Sequence, residues 1–232
     1  MDALKFKRVE MKYLLTRNQY TLIQEKLLEN GMEKDKYFYS TIQSLYYDTP
    51  NKQLIRRSIE RPEYKEKLRL RSYGVIKSNQ KAFLEIKKKY DGVVYKRRID
   101  ISEKDAMDFM QNKSEHLTSQ IGKEIEYFRD FYKNLEPSML IIYDRFSYGH
   151  PNSDLRITFD TNVRYRTNDL TLSKASYGTL ILSYDYAIME IKTAYGLPLW
   201  LCKLLSETKT YKSSYSKYGT AYKLELEKEQ IL

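Results

Sequence analysis

YKEKLRLRSY, residues 64–73, decides the fold. Lys67, Arg69 and Arg71 alternate there with Leu68 and Leu70. A β-strand sends successive side chains to opposite faces, so this run puts a cationic row on one face and an apolar row on the other. The pattern recurs along the chain. Glu85, Lys87 and Lys89 alternate in FLEIKKK, Glu10 and Lys12 in VEMKY, and Glu190 and Lys192 in IMEIK, while Arg156 and Asp160 share a parity in LRITFD. One such strand is an ordinary solvated edge. Five of them point to a sheet whose charged face has a purpose. If the sheet closes on itself, that face lines a basic tunnel holding carboxylates, suited to a polyanion and a divalent cation.

The neighbouring segments supply further strands and inserted helices. Residues 5–15 read as a first strand, followed by a helix that Thr16 caps with Gln19 and Gly31 ends, with Leu22, Ile23, Leu27 and Leu28 at helical spacing. Residues 42–48 read as a strand ending at Pro50, and 51–59 as a short helix or turn. The two strongest strands are 64–73 and 81–90. Asp91-Gly92 is a favoured hairpin turn that pairs 81–90 with 93–101. Ser102 with Asp105 starts a helix carrying Ala106, Phe109 and Met110; 112–119 is a polar loop; a helix over 120–134 presents Ile121, Ile125, Phe128 and Tyr132. Strands follow at 138–147, 154–164, 180–184 and 186–193, with 165–179 patternless. Pro198 opens a short helix through Leu205, and 207–223 reads as a polar tail before a frayed charged end. The expectation is a mainly antiparallel β fold with inserted helices (α+β), an eight-stranded closed tunnel barrel, in a single domain spanning 1–232.

The 232 residues suffice for one large domain, and 41% hydrophobic with 31% charged residues describes a folded chain. Twenty-three tyrosines against 8 phenylalanines suit strands with a polar face. The net charge of +10 admits nucleic acid, anionic lipid or a phosphorylated small substrate as partner. A single cysteine, Cys202, excludes an intrachain disulfide and a multi-cysteine metal cluster, and two histidines argue against a His-rich zinc site. Cys202 and Trp200 read as packing residues, His116 and His150 as loop residues. Without a signal peptide or an apolar run long enough to span a bilayer, a soluble cytoplasmic protein is expected.

Arginine offers phosphate two aligned donors, and lysine a mobile point charge. Arg69, Arg71, Lys87, Arg145 and Arg156 could therefore surround a chain of phosphoryl groups, beside Lys67, Lys89 and Lys192 of the same rows. Carboxylates among these cations would repel the ligand unless a divalent cation bridged them, so Glu190, Glu85 and Glu10 are candidate ligands for Mg²⁺ or Mn²⁺. No GxxxxGK[ST], GxGxxG or kinase HRD and DFG element is present.

In this order and spacing the segments VEMKYLL (9–15), SLYYDTP (44–50), YKEKLRLRSYG (64–74), FLEIKKKYDGVVYKRR (83–98), YDRFSY (143–148), LRITFDTNVRYR (155–166), MEIKT (189–193) and YSKYG (215–219) go together. Through them the chain resembles the VTC domain, the catalytic domain of polyphosphate polymerases, within the triphosphate tunnel metalloenzyme (CYTH-like) superfamily. The resemblance implies an antiparallel tunnel barrel binding ATP and triphosphate, and a polymerase that lengthens polyphosphate from ATP with Mn²⁺ or Mg²⁺. It implies phosphate-binding roles for Lys12, Arg69, Arg71, Lys87, Arg145 and Arg156, for either Lys96 or Arg97, and for Lys217, with Lys212 the next candidate. It implies Glu190 as the metal-binding glutamate. Arg8 stands where many tunnel enzymes have the first glutamate of an ExExK motif, which weakens the case for a two-metal hydrolase. The alternatives are a tripolyphosphatase or nucleoside triphosphatase of the same fold, or a non-catalytic polyphosphate- or nucleic-acid-binding protein. Carboxylates interleaved with the cations speak against the passive binder, so no nucleic acid is expected as partner.

Overall fold

In a computed structural model of the chain, residues 9–60, 62–91, 93–113 and 117–230 are described. His116 and Gly92, named above, lie outside them, as do positions 5–8 of the expected first strand. The elements in chain order are β1 (Val9–Thr16), α1 (Arg17–Glu29), β2 (Glu33–Asp48), α2 (Gln53–Ile59), β3 (Tyr64–Tyr73), β4 (Lys81–Tyr90), β5 (Val93–Ser102), α3 (Glu103–Met110), α4 (Gln120–Tyr132), β6 (Glu136–Gly149), β7 (Arg156–Arg166), β8 (Thr179–Leu180), β9 (Tyr186–Thr193), α5 (Leu199–Glu207), β10 (Lys212–Ser213) and α6 (Lys217–Glu229).

The α+β class with a large antiparallel sheet holds, but the closed barrel does not. Hydrogen-bonded neighbours run β10-β1-β9-β7-β6-β2-β3-β4-β5, with β8 attached to β7, so among the described residues the sheet has ten strands rather than eight and two open edges. Both edges resist closure for physical reasons. β10 is two residues long. β5 carries Lys96, Arg97 and Arg98 in succession, and charged side chains on an edge strand discourage further pairing.

Contacts divide the chain into two compact units. The first comprises residues up to 41 with 143–163 and 182–216; the second comprises 42–142, 164–181 and 217 onward. In the first, α1 starts as the sequence dictates: Thr16 Oγ1 accepts the Gln19 N–H, and Gln19 Oε1 accepts the Thr16 N–H at 2.9 Å. Ile23 and Leu27 are buried with Leu15, Phe159, Met189 and Leu201, whereas Leu22 and Leu28 face outward. Pro198 is the N-cap of α5. Trp200 packs against this core, but Cys202 is exposed, contrary to the packing role expected of it, because it lies on the outer side of α5.

In the second unit, β3 and β4 fall on the predicted residues. Their apolar rows, Leu68 and Leu70 with Ala82, Leu84 and Ile86, are buried under Phe109 of α3 and Ile125 and Phe128 of α4. Each such aliphatic side chain removed from water stabilises the fold by about 1.5–3 kcal/mol. Asp48 ends β2 and starts α2: its carboxylate accepts the N–H groups of Thr49, Leu54 and Ile55. The patternless stretch after β7 is wound around Arg166, whose guanidinium donates to the carbonyls of Asp169, Thr171, Ala175 and Tyr177. The expected strand at 180–184 shrinks to β8. The expected polar tail and frayed end are instead β10 and the 13-residue helix α6. No helix among the described residues is long and apolar enough to cross a membrane.

Candidate functional site

The charged rows gather into one cluster in each unit. In the second unit the register sets two rungs across the strands. Tyr46 of β2 lies opposite Arg69, Arg69 opposite Glu85, and Glu85 opposite Arg98. One step along, Lys67, Lys87 and Lys96 stand opposite one another on β3, β4 and β5. Lys65 and Lys89 form a further like-charged pair. Glu85 is buried at 2% exposure and organises the first rung. Its Oε2 accepts from Arg69 Nε at 2.8 Å and lies 3.7 Å from Arg71 Nε. Lys96 Nζ lies 2.8 Å from Oε1. Burial alone would raise the Glu85 carboxyl, but the charges of Arg69, Arg71 and Lys96 outweigh it and hold it down at about 2. Burial likewise lowers Lys96, against the pull of Glu85. Arg71 also donates to Ser44 Oγ at 3.3 Å.

The hairpin register separates two residues that the sequence left as alternatives. Lys96 shares the face of Lys67 and Lys87. Arg97 lies opposite Ile86 and approaches Glu124 of α4 at 3.9 Å, on the helix-covered face. The signal was available: a two-residue turn at 91–92 pairs 90 with 93 and therefore 87 with 96. Lys217 is the first residue of α6, partly buried, beside Tyr218. Lys212 is exposed on β10, opposite Tyr13.

In the first unit, β1 and β9 form a chequer of charge, with Glu10 opposite Lys192 and Lys12 opposite Glu190. Lys192 Nζ is 3.2 Å from Glu190 Oε1, and Lys12 Nζ 3.5 Å from Glu10. Arg145 is held by a fork: Nε and Nη2 donate to the two oxygens of Asp160 at 2.6 and 2.8 Å, and Nη2 lies 3.5 Å from Glu190. Such bidentate pairs fix orientation as well as charge. Asp160, 1% exposed, counters the burial of Arg145 and keeps its proton affinity well above the ordinary value. Burial would raise Glu190, but a hydrogen bond with Glu10 and the charges of Lys192, Arg145 and Lys12 hold it well below the usual carboxylate range. Arg156 lies opposite Lys192 but is exposed and ion-paired with Asp35.

Among the described residues, no group of three or more His, Cys, Asp or Glu side chains could hold a metal ion. Glu10 and Glu190 still fit a hard divalent cation as a two-carboxylate platform. Their carboxyl groups are within hydrogen-bonding reach of each other, which places four oxygens in one spot. Mg²⁺ and similar ions often take one or two carboxylates and fill the shell with phosphate oxygens and water. Glu85 fits less well, since both its oxygens face cations. Asp160, Tyr46 and Arg98 were missed as site residues, although the parity of Asp160 with Arg156 was visible.

The family described as VTC domain matches residues 7–226. In fold, the chain is similar to a candidate adenylate cyclase of Bacillus halodurans (TM-score 0.55, 12% identity, covering 90% of this chain and 93% of that one). It is also similar to a candidate adenylyl cyclase of Hippeastrum, described as having a dominant triphosphatase activity (TM-score 0.51, 17% identity, covering 91% and 93%). At these identities the likeness is one of fold. No curated protein matches the chain.

Proposed function

We propose that this chain, which belongs to the VTC domain family, is an enzyme that binds a triphosphate and cleaves off its terminal phosphoryl group with the help of a divalent cation, residues 1–232 acting as one domain. The observation that carries this reading is the rung of Lys67, Lys87 and Lys96 beside the Arg69–Glu85–Arg71 cluster. Like charges directly opposite on neighbouring strands destabilise a sheet. A polyanion lying along the rung reverses that cost. Phosphoryl transfer asks for positioning and charge stabilisation more than for a covalent nucleophile. Lys67, Arg69, Arg71, Lys87 and Lys96 would donate to phosphate oxygens, and Glu85 would keep Arg69 aimed. Lys89 and Lys217 are proposed as further cations of the same unit.

In the first unit, Glu190 with Glu10 would hold Mn²⁺ or Mg²⁺, which neutralises charge on a phosphoryl group when bound. Lys12 and Lys192 would orient the two carboxylates. Water is the first acceptor we propose, which makes the enzyme a tripolyphosphatase or nucleoside triphosphatase; the Hippeastrum protein of similar fold supports this. A second reading, with the end of a polyphosphate chain as acceptor and ATP as donor, is favoured by Arg8 in place of the first carboxylate of ExExK. Incubation with ATP or tripolyphosphate and Mn²⁺, followed by sizing of the products, tests both. Orthophosphate with ADP or pyrophosphate supports hydrolysis, and a ladder of longer chains supports polymerisation. Tight binding without either product overturns the enzyme reading.

A further inference from the structure

Tyr46 stands at the end of the first rung, 8% exposed, opposite Arg69. Arg69 Nη1 donates to its Oη at 3.1 Å, and the guanidinium carbon is 5.8 Å from the ring centroid. The ring stacks on Tyr218 of α6, with centroids 4.3 Å apart and planes at 17°. Among the described residues, the Tyr46 hydroxyl finds no acceptor for its own proton. Tyr218 is the opposite case: it donates to Asp48 Oδ2 at 3.0 Å and lies 3.1 Å from the Ser138 hydroxyl. Burial and Asp48 therefore push the Tyr218 phenol up.

The charges acting on Tyr46 are cationic: β3 brings Arg69, Lys67 and Arg71. The two nearby anions are engaged, Glu85 by Arg69, Arg71 and Lys96, and Asp48 by the N–H groups of α2 and the Tyr218 hydroxyl. A buried phenol oxygen that accepts from a guanidinium and has no acceptor for its own proton among the described residues is best satisfied as phenolate.

We infer that Tyr46 is a stand-in anion for the cationic row: as phenolate it occupies Arg69 in the free protein, and it takes a proton from solvent when a phosphate oxygen replaces it. The charge balance supports this: burial alone would raise the phenol, but Arg69, Lys67 and Arg71 bring it down to about 7. The inference rests on the proposed binding of a triphosphate to this row. No covalent bond forms or breaks; one proton moves from water to the phenolate oxygen.

The test uses tripolyphosphate as probe at pH 8. Calorimetry in buffers of different ionisation enthalpy counts protons taken up on binding, for the wild type and for Tyr46→Phe. The wild type should take up about 0.9 proton more than the variant, the phenolate fraction expected about one unit above its midpoint. The phenolate absorbance band of the wild type alone should fall by about one tyrosine on binding, which keeps the test independent of how the variant folds. Equal uptake in both proteins, or no fall in the band, overturns the exchange while the binding reading stands. No binding of tripolyphosphate by the wild type overturns the binding reading and the exchange together. A pH titration of the free wild type then shows separately whether one phenol ionises near 7.

Discussion

Glu85→Gln keeps the shape of a side chain that three cations surround and removes its charge. In the folded protein the carboxyl is held at about 2 against an ordinary 4.5. That difference corresponds to about 3.4 kcal/mol of stability. Glu85 is only 2% exposed, so solvent screening takes little from it. The sign follows from a folded value below the unfolded one: the stabilisation is complete above the unfolded value and disappears as pH falls through the folded one. Linkage leaves about 1.4 kcal/mol at pH 3. Urea unfolding should therefore show Glu85→Gln weaker than wild type by about 3 kcal/mol at pH 7, with the gap less than half as large at pH 3. A gap below about 1 kcal/mol at pH 7, or one of the same size at both pH values, refutes the organising role of Glu85. A variant of unchanged stability that loses only Mn²⁺-dependent turnover would return Glu85 to the metal instead.

Three further outcomes follow from the two clusters. Glu190→Gln should lower Mn²⁺-dependent turnover of tripolyphosphate by about tenfold or more, equivalent to about 1.4 kcal/mol at the transition state, while binding in chelator persists or tightens; unchanged turnover moves the metal elsewhere. Asp160→Asn strips the charge from the fork on Arg145 and should cost about 3 kcal/mol in urea unfolding at pH 7, as breaking a buried pair does; a loss within experimental error shows that Arg145 is fixed by Glu190 alone. Lys217→Ala should lower turnover far more than Lys223→Ala, an exposed lysine of the same helix, and equal effects remove Lys217 from the site. Lys228 is no neutral control, because its ammonium is 2.8 Å from both Glu225 and the Tyr165 hydroxyl.

What the sequence made legible follows burial. β3 and β4 were readable to the residue because each carries a fully buried apolar row against a charged one. The first half of β2 was not, because residues 33–41 have no buried face and so no alternation. α6 escaped for a related reason: its buried residues are Tyr218, Gly219 and Ala221, and Tyr218 is anchored by Asp48 and Ser138, tertiary partners that no local pattern announces. The alternation told which side chains share a face on each strand. It could not tell which strands become neighbours, and hence whether the sheet closes, since order and edges depend on pairings distant in sequence. The same limit hid Tyr46 and Asp160, each defined by an arginine on another strand.

The cationic rungs make most sense as a face arranged for an anion, since three lysines lie opposite one another on adjacent strands. Glu85 balances Arg69, Arg71 and also Lys96, yet Lys67, Lys87 and Lys96 stand opposite one another, at a cost of a few tenths to about 1 kcal/mol for each pair. A sequence selected only for stability would alternate the signs there, as the first unit does with Glu10, Lys12, Glu190 and Lys192. The two clusters thus follow different rules: opposite signs face each other across the strands of the first, and like signs face each other across the second. Binding should therefore be felt in stability. Tripolyphosphate at about a hundred times its dissociation constant should raise the unfolding free energy by about 2.7 kcal/mol. Lys87→Glu tests the contrast, because it restores the chequer to the rung. The variant should melt higher than wild type without ligand and gain much less from tripolyphosphate. A variant that melts lower, and still gains the full amount, would show that the rung neither strains the sheet nor binds the anion.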